Sequence, residues 1–247
     1  MNDNTIFLAG ASGAIGMRLV PLLVEAGYSV VGTTRSPEKA ARLAALGAEP
    51  VVVDVFDAPA LQRALGTARP RIVIHQLTDL ALLAGDRATA LQRNARIRIE
   101  GTRNLVEAAI AAGVEKLIAQ SIAWVYAPGP EPHSEEDALQ APAEGPAGAT
   151  MRGVIALEQQ TLGSPPLVGI VLRYGRLYGP GTGNDAPAGS PGVHVDAAAA
   201  AALLAARSSA HGIFNIAEPS EHLATERARR ELGWDASFRP RVNCPAA

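Results

Sequence analysis

The sequence predicts an α/β fold built on a doubly wound parallel sheet, and three observations carry that expectation. Short runs rich in Val, Ile and Leu recur along the chain, each followed by a stretch of helical period. The first run, Thr5 to Ala9, leads straight into a glycine-punctuated turn, Gly10-Ala11-Ser12-Gly13-Ala14-Ile15-Gly16. The chain has 247 residues, 48% of them hydrophobic, with a formal charge of only −2, enough for one large domain with a substantial core. Continuous apolar strands alternating with amphipathic helices are the pattern of a parallel sheet covered on both faces.

In chain order, the turn after the first strand opens a helix whose apolar positions include Ile15, Leu19, Leu22 and Leu23. A second strand over 29–34 precedes a helix over 37–46, where Pro37 suits the first turn. A third strand over 50–53, a short helix over 59–65 and a fourth strand over 71–75 follow. The helix over 101–112 carries Leu105, Val106, Ala109 and Ile110 on one face. A fifth strand over 116–120, a helix over 154–162 and a sixth strand over 167–173 complete the alternation. Asp196 is expected to cap the alanine-rich helix that comes next. Two stretches rich in Pro and Gly, 127–149 and 179–192, interrupt the pattern just past strand C-termini, the edge at which open α/β sheets bind ligands. One domain over 1–247 is expected, in which 127–149, 176–194 and 218–247 form a small, reduced C-terminal substrate-binding lobe.

A strand, a glycine-rich turn and a helix in immediate succession form a dinucleotide-binding fingerprint. Glycine lets the backbone turn sharply and approach a pyrophosphate, and the free N–H groups at the new helix's start hold the anion. Gly10, Ser12, Gly13, Ala14, Ile15 and Gly16 are therefore candidate cofactor residues. After the second strand the sequence reads Thr33-Thr34-Arg35-Ser36, with Lys39 one turn on and no carboxylate at the strand end. Arg35 can fork onto a ribose 2′-phosphate and Ser36 can add a hydroxyl, so NADP is expected, with NAD as second choice. Asp54 and Val55, after the third strand, are candidates for the adenine, although Asp54 could equally start a turn or cap a helix. Gln76, Leu77 and Thr78 should pass beside the ribose, whereas His75 reads as a satisfied core histidine.

Other function classes find little support. Lys and Arg are scattered, which argues against nucleic acid. The longest apolar tract, 197–206, is about half of what spans a bilayer, and the polar start MNDNT resembles no signal peptide. A cytoplasmic location is expected. The single cysteine, Cys244, allows no internal disulfide, and no metal is expected because the residues around His133 match no ligand spacing.

Several segments resemble the short-chain dehydrogenase/reductase superfamily in its extended and atypical branches, closest to the NAD-dependent epimerase/dehydratase group. They are Gly10-x-x-Gly13-x-x-Gly16, Asp54-Val55, Glu100-Gly101-Thr102-Arg103-Asn104-Leu105 with Glu107-Ala108-Ala109, Gln120-Ser121 with Val125-Tyr126, Leu172-Arg173-Tyr174-Gly175-Arg176-Leu177-Tyr178-Gly179-Pro180-Gly181, His194-Val195-Asp196, Phe214-Asn215-Ile216 and Glu231-Leu232-Gly233-Trp234. The resemblance implies a Rossmann fold, a nicotinamide passing near Tyr174, and dimers through the helix corresponding to 98–112. It also implies a Tyr-x-x-x-Lys pair with a strand hydroxyl, in which lysine lowers the tyrosine pKa for proton transfer. Here that pair is absent. Alignment on Leu157-Glu158-Gln159 puts Thr150 and Val154 at its positions, and the hydroxyl position falls on Ile122, with Ser121 beside it. Ser121 and Tyr126 are the nearest catalytic candidates, while Arg152, His133, Glu135, Glu136, Asp137 and Arg176 lie around the expected pocket.

Three readings follow: an NADP(H)-dependent oxidoreductase acting on a small or apolar carbonyl-type substrate, an NAD(P)-dependent epimerase/dehydratase, or a non-catalytic dinucleotide sensor or non-redox use of the fold.

Overall fold

The computed structural model describes residues 4–79 and 86–240; of 146 and 147 only the backbone is described. Cys244 lies outside the described residues. Seven parallel strands form one sheet in the order β3-β2-β1-β4-β5-β6-β9. They are β1 Thr5–Ala9, β2 Ser29–Thr34, β3 Glu49–Val52, β4 Ile72–His75, β5 Lys116–Ile122, β6 Val168–Tyr174 and β9 Gly212–Ile216. The order reverses between β1 and β4, and this switch point opens a crevice at the strands' C-terminal ends. Two short strands, β7 Arg176–Tyr178 and β8 Gly192–His194, pair separately beyond that edge.

Helices cover both faces. On one lie α1 Ala14–Glu25, α2 Pro37–Ala45 and α7 Val195–Arg207. Their core joins Ile6, Leu8, Leu19, Leu23 and Leu172 to the alanines of α7. Small side chains let α7 lie close to α1 and the sheet. On the other face lie α3 Ala58–Ala68, α4 Arg87–Arg96, α5 Thr102–Ala111 and α6 Ala149–Leu162. Phe7, Val73, Leu105, Ala109 and Leu117 pack in that layer. Strands buried on both faces explain why β1 and β4 read as unbroken apolar runs.

Three features depart from the sequence reading. The helix expected over 101–112 is the second half of a longer one: α4 starts at Arg87 after the N-cap Asp86, whose side chain accepts from Thr89 N, and a π-helical turn at Ile97–Gly101 joins it to α5. Asp196 does not cap α7. The His194 side chain accepts from Asp196 N at 3.2 Å, and Asp196 sits in the first turn, 3.6 Å from Arg18. Third, Trp234, expected in the substrate-side lobe, is buried in the α1/α7 core and donates its indole N–H to Ala197 O at 2.8 Å. Of the predicted lobe, 127–149 folds back on Tyr126 through the bridge Tyr126↔Leu139 and meets 218–240 through His133↔Leu223. No helix among the described residues is long and apolar enough to cross a membrane.

Candidate active site

A cleft of about 230 Å³ opens at the switch point, and ten of the predicted cofactor residues line it: Gly10, Ser12, Gly13, Arg35, Ser36, Asp54, Val55, Gln76, Leu77 and Thr78. They come from four separate loops, each leaving the C-terminal end of a strand. The turn can form only with glycine at its critical positions. Gly10 has φ +87°, and a Cβ there would lie 2.7 Å from the Gln76 backbone. At Gly16 a Cβ would meet Ala11 O at 2.4 Å. Gly13 is the N-cap of α1 and supplies no side-chain cap, so the first-turn N–H groups stay available to an anion. Ala14, Ile15 and Gly16 lie in that first turn rather than in the cleft wall, and Ile15 packs into the core.

At the β2 end of the cleft, Arg35 is half exposed and sits 3.7 Å from Asp79, while the Ser36 hydroxyl donates to Glu38 at 2.6 Å. Lys39 also borders the cleft. The Asp54 carboxylate accepts Phe56 N at 3.0 Å and so starts the turn; the cap of α3 is Asp57. Two threonines that the sequence reading passed over shape this wall. Thr33 Oγ1 accepts Gly10 N at 3.3 Å, and Thr34 Oγ1 accepts both Ser36 N and Ser12 Oγ at 3.1 Å.

Beneath the cleft, His75 is fully buried between Thr102 Oγ1 at 3.1 Å and Leu77 N at 3.2 Å. Burial and then the charge of Arg98 lower its pKa to about 4, so it is a neutral core histidine. Gln76 donates to the buried Tyr174 hydroxyl at 3.4 Å, but its Oε1 is buried without a partner among the described residues. An orphaned acceptor at this depth is costly unless a ligand donor reaches it. A ribose hydroxyl of a bound dinucleotide is such a donor, and the glycine cradle fits its pyrophosphate. The residues present therefore suit a nicotinamide dinucleotide. Tyr174 lies behind Gln76, and burial pushes its hydroxyl pKa far up.

Past β5 and β6 the proton-handling groups are replaced. Ile122, Val125, Met151 and Val154 form a buried apolar cluster, with Tyr126 and Leu139 against it. Ile122 and Val154 stand where the resemblance calls for a hydroxyl and a lysine. Ser121 does not take over. β5 stays regular to its end, with Ser121 opposite Arg173 and Ile122 opposite Tyr174, so adjacent side chains face opposite ways. The Ser121 hydroxyl is fully buried and donates to Glu158 at 2.7 Å.

Tyr126 is likewise engaged. Its hydroxyl accepts from Arg173 at 2.9 Å and donates to Asn215 at 2.5 Å, and its ring stacks on His133 at 5.1 Å. Burial, the largest influence, raises its pKa. Both candidates belong to one buried network. Arg173 forks onto Glu158 at 3.0 and 2.7 Å, and Asn215 N donates to Glu135 at 2.8 Å. Glu135 is buried, and desolvation raises its pKa. Glu136 pairs with Arg227, Asp137 binds His133 and Ser134, and Arg152 donates to Ala143 O and Gly145 O. Sequence reasoning met Glu158 and Asn215 only inside resembling segments and gave neither a role; a polar residue on an otherwise core-facing stripe was the further signal.

A model of the NAD dependent epimerase/dehydratase family matches residues 6–206. A Streptomyces protein described as 3-diazoavenalumate denitrifying reductase is 41% identical over 271 residues, covering 93% of this chain and 87% of that protein. Among solved structures, the UDP-glucose 4-epimerase of Thermotoga maritima with UDP-glucose superposes with a TM-score of 0.75 at 22% identity, over 95% of this chain and 94% of that one. Yeast methylglyoxal/isovaleraldehyde reductase complexed with NADPH gives 0.75 at 17% identity, over 94% and 93%. At those identities the two structures speak for the fold alone. This chain belongs to the NAD dependent epimerase/dehydratase family, within the extended short-chain dehydrogenase/reductases, a group of NAD(P)-dependent oxidoreductases and epimerases/dehydratases.

Proposed function

We propose that this protein is an NADPH-dependent reductase whose substrate needs no proton from the enzyme, and that the substrate is an arenediazonium compound. The observation that carries this reading is the apolar cluster of Ile122, Val125, Met151 and Val154 in place of a proton relay. When bound, the reduced nicotinamide supplies a hydride. A carbonyl that gains hydride becomes an alkoxide and must be protonated, and losing the positioned acid costs about 10²–10⁴ in rate. Epimerisation and dehydration need acid–base groups as well. An arenediazonium ion behaves differently. Hydride on its terminal nitrogen gives neutral Ar–N=N–H, which can leave the site; in solvent the N–H proton passes to water, the C–N bond breaks, N2 leaves and the ring carbon takes a proton from water, so charge and atoms balance without an enzymic acid. The substrate class named for the Streptomyces relative supports the same choice.

The chain's own residues would then bind and exclude. Gly10, Gly13 and the start of α1 hold the pyrophosphate, Gln76 the ribose, and Arg35 with Lys39 the 2′-phosphate. Arg35 would exchange Asp79 for a dianion, which favours NADPH over NADH. Ile122, Met151 and Val154 keep water from the reacting centre. Ser121 and Tyr126 hold the wall in place and transfer no proton. Segments 127–149, 176–194 and 218–247 provide the substrate side of the single domain, apart from Trp234.

The test is to supply benzenediazonium, and in parallel an aldehyde and ketone panel, with NADPH carrying deuterium at the transferable position. Benzene, N2 and matching oxidation of the cofactor, slowed by the deuterium, are expected only with the diazonium, the label itself passing to solvent through the exchangeable N–H. Carbonyl reduction that outpaces diazonium reduction would overturn the proposal.

A further inference from the structure

Trp124 and Arg176 stand together on the catalytic edge without a role in the site described above. Each lies two residues past a register pair, Ile122 of β5 and Tyr174 of β6, so they stand beyond the apolar cluster on the side open to solvent. Trp124 is 40% exposed, one of the few large apolar side chains at the surface, whereas Trp234 is buried. The Arg176 guanidinium lies over the indole ring at 4.6 Å from its centroid. Its stem runs beside Gly189, where a Cβ would sit 3.7 Å from Arg176 Cδ. Arg176 itself is exposed, and among the described residues it has no carboxylate within ion-pair distance.

We propose that Trp124 and Arg176 form a recognition platform for a planar aromatic carboxylate. The inference rests on reading this edge as the reductase site, and it names the substrate's second functional group. A guanidinium held over an indole can keep N–H donors turned to solvent, and two such donors match the two oxygens of a carboxylate. The stack fixes the fork's orientation before binding, which lowers the entropy cost of engaging the anion. The exposed part of the indole offers an arene a surface for offset or edge contact. A substrate with its reacting group near Ile122 and a carboxylate beyond it would be gripped at both ends.

Calorimetry on the protein saturated with NADP⁺ tests this without turnover, using cinnamate, cinnamamide and UDP as probes. Cinnamate should bind about tenfold to a hundredfold more tightly than cinnamamide, the range for a charged, hydrogen-bonded contact. Arg176→Met should bring that ratio close to one while leaving cinnamamide unchanged. Trp124→Leu should weaken both probes. Both residues are exposed, and a thermal melt confirms that each variant folds. Equal binding of cinnamate and cinnamamide, no binding of either, or Arg176-dependent binding of UDP in preference to cinnamate would each overturn the platform. Discrimination for cinnamate by a protein that fails to reduce any diazonium would leave the platform standing and remove the reductase reading. Turnover of benzenediazonium and 4-carboxybenzenediazonium with equal KM would do the reverse.

Discussion

Glu158→Gln offers a direct test of the buried network behind the candidate site. Glu158 and Arg173 are almost fully buried, and the carboxylate accepts three hydrogen bonds, from Ser121 Oγ, Arg173 Nε and Arg173 Nη2. The amide of glutamine keeps one acceptor and turns an N–H₂ donor toward a guanidinium that has only donors. The Arg173 charge then stays in the interior uncompensated, a situation that costs about 3–5 kcal/mol when one partner of a buried pair is removed. For a chain of this size about 1 kcal/mol lowers Tm by roughly 2–4 °C, so a drop on the order of 6–20 °C is expected. Urea and thermal unfolding followed by circular dichroism measure it. Arg173 Nη1 also reaches Tyr126 Oη and Glu135 O, so the 126–139 segment should loosen and KM should rise more than kcat falls. A double replacement, Glu158→Met with Arg173→Met, should recover much of the loss, because an apolar pair leaves no charge behind. A Glu158→Gln protein within about 1 kcal/mol of the parent, the low end for a single neutral hydrogen bond, would refute this account of the network.

Other expectations follow from individual contacts. Tyr126→Phe removes the bonds to Arg173 and Asn215 and should cost about 1–3 kcal/mol in stability with kcat little changed; a fall in kcat of a hundredfold or more would restore it as a proton donor. Arg35→Asp should raise the NADPH Kd by about tenfold to a hundredfold and leave NADH binding nearly unaffected, as read by fluorescence titration. Gly16→Ala should prevent the turn from closing, because its Cβ would stand 2.4 Å from Ala11 O; soluble protein with unchanged dinucleotide affinity would contradict the geometry. His75 has a folded pKa of about 4, below its value of 6.5 when unfolded. The unfolded chain therefore binds the proton more readily, and stability is lost as pH falls from 6.5 and levels off below 4. The contribution, on the order of 3 kcal/mol, should vanish from the pH–stability curve of His75→Gln.

Fold and site were legible in the amino-acid sequence to different degrees. Period and composition alone placed six of the seven sheet strands, because residues buried on both faces leave an unbroken apolar run. The glycine turn announced its ligand through local backbone geometry, and local geometry is written in consecutive residues. α4 was illegible because its sequence is polar and its buried members are only Ala90, Asn94 and Ala95, of which Asn94 accepts from Asp79 N, fifteen residues away.

The sequence by itself therefore determined the layer architecture, the dinucleotide turn and the missing tyrosine–lysine pair, all properties of near neighbours in the chain. Only the tertiary structure decided what Ser121 and Tyr126 do. Their partners, Glu158, Arg173 and Asn215, lie 37, 47 and 89 residues away. Hydrogen bonds of that span depend on how strands and helices stack. The same is true of the Trp124–Arg176 stack, which exists because two parallel strands end in register at one edge of the sheet.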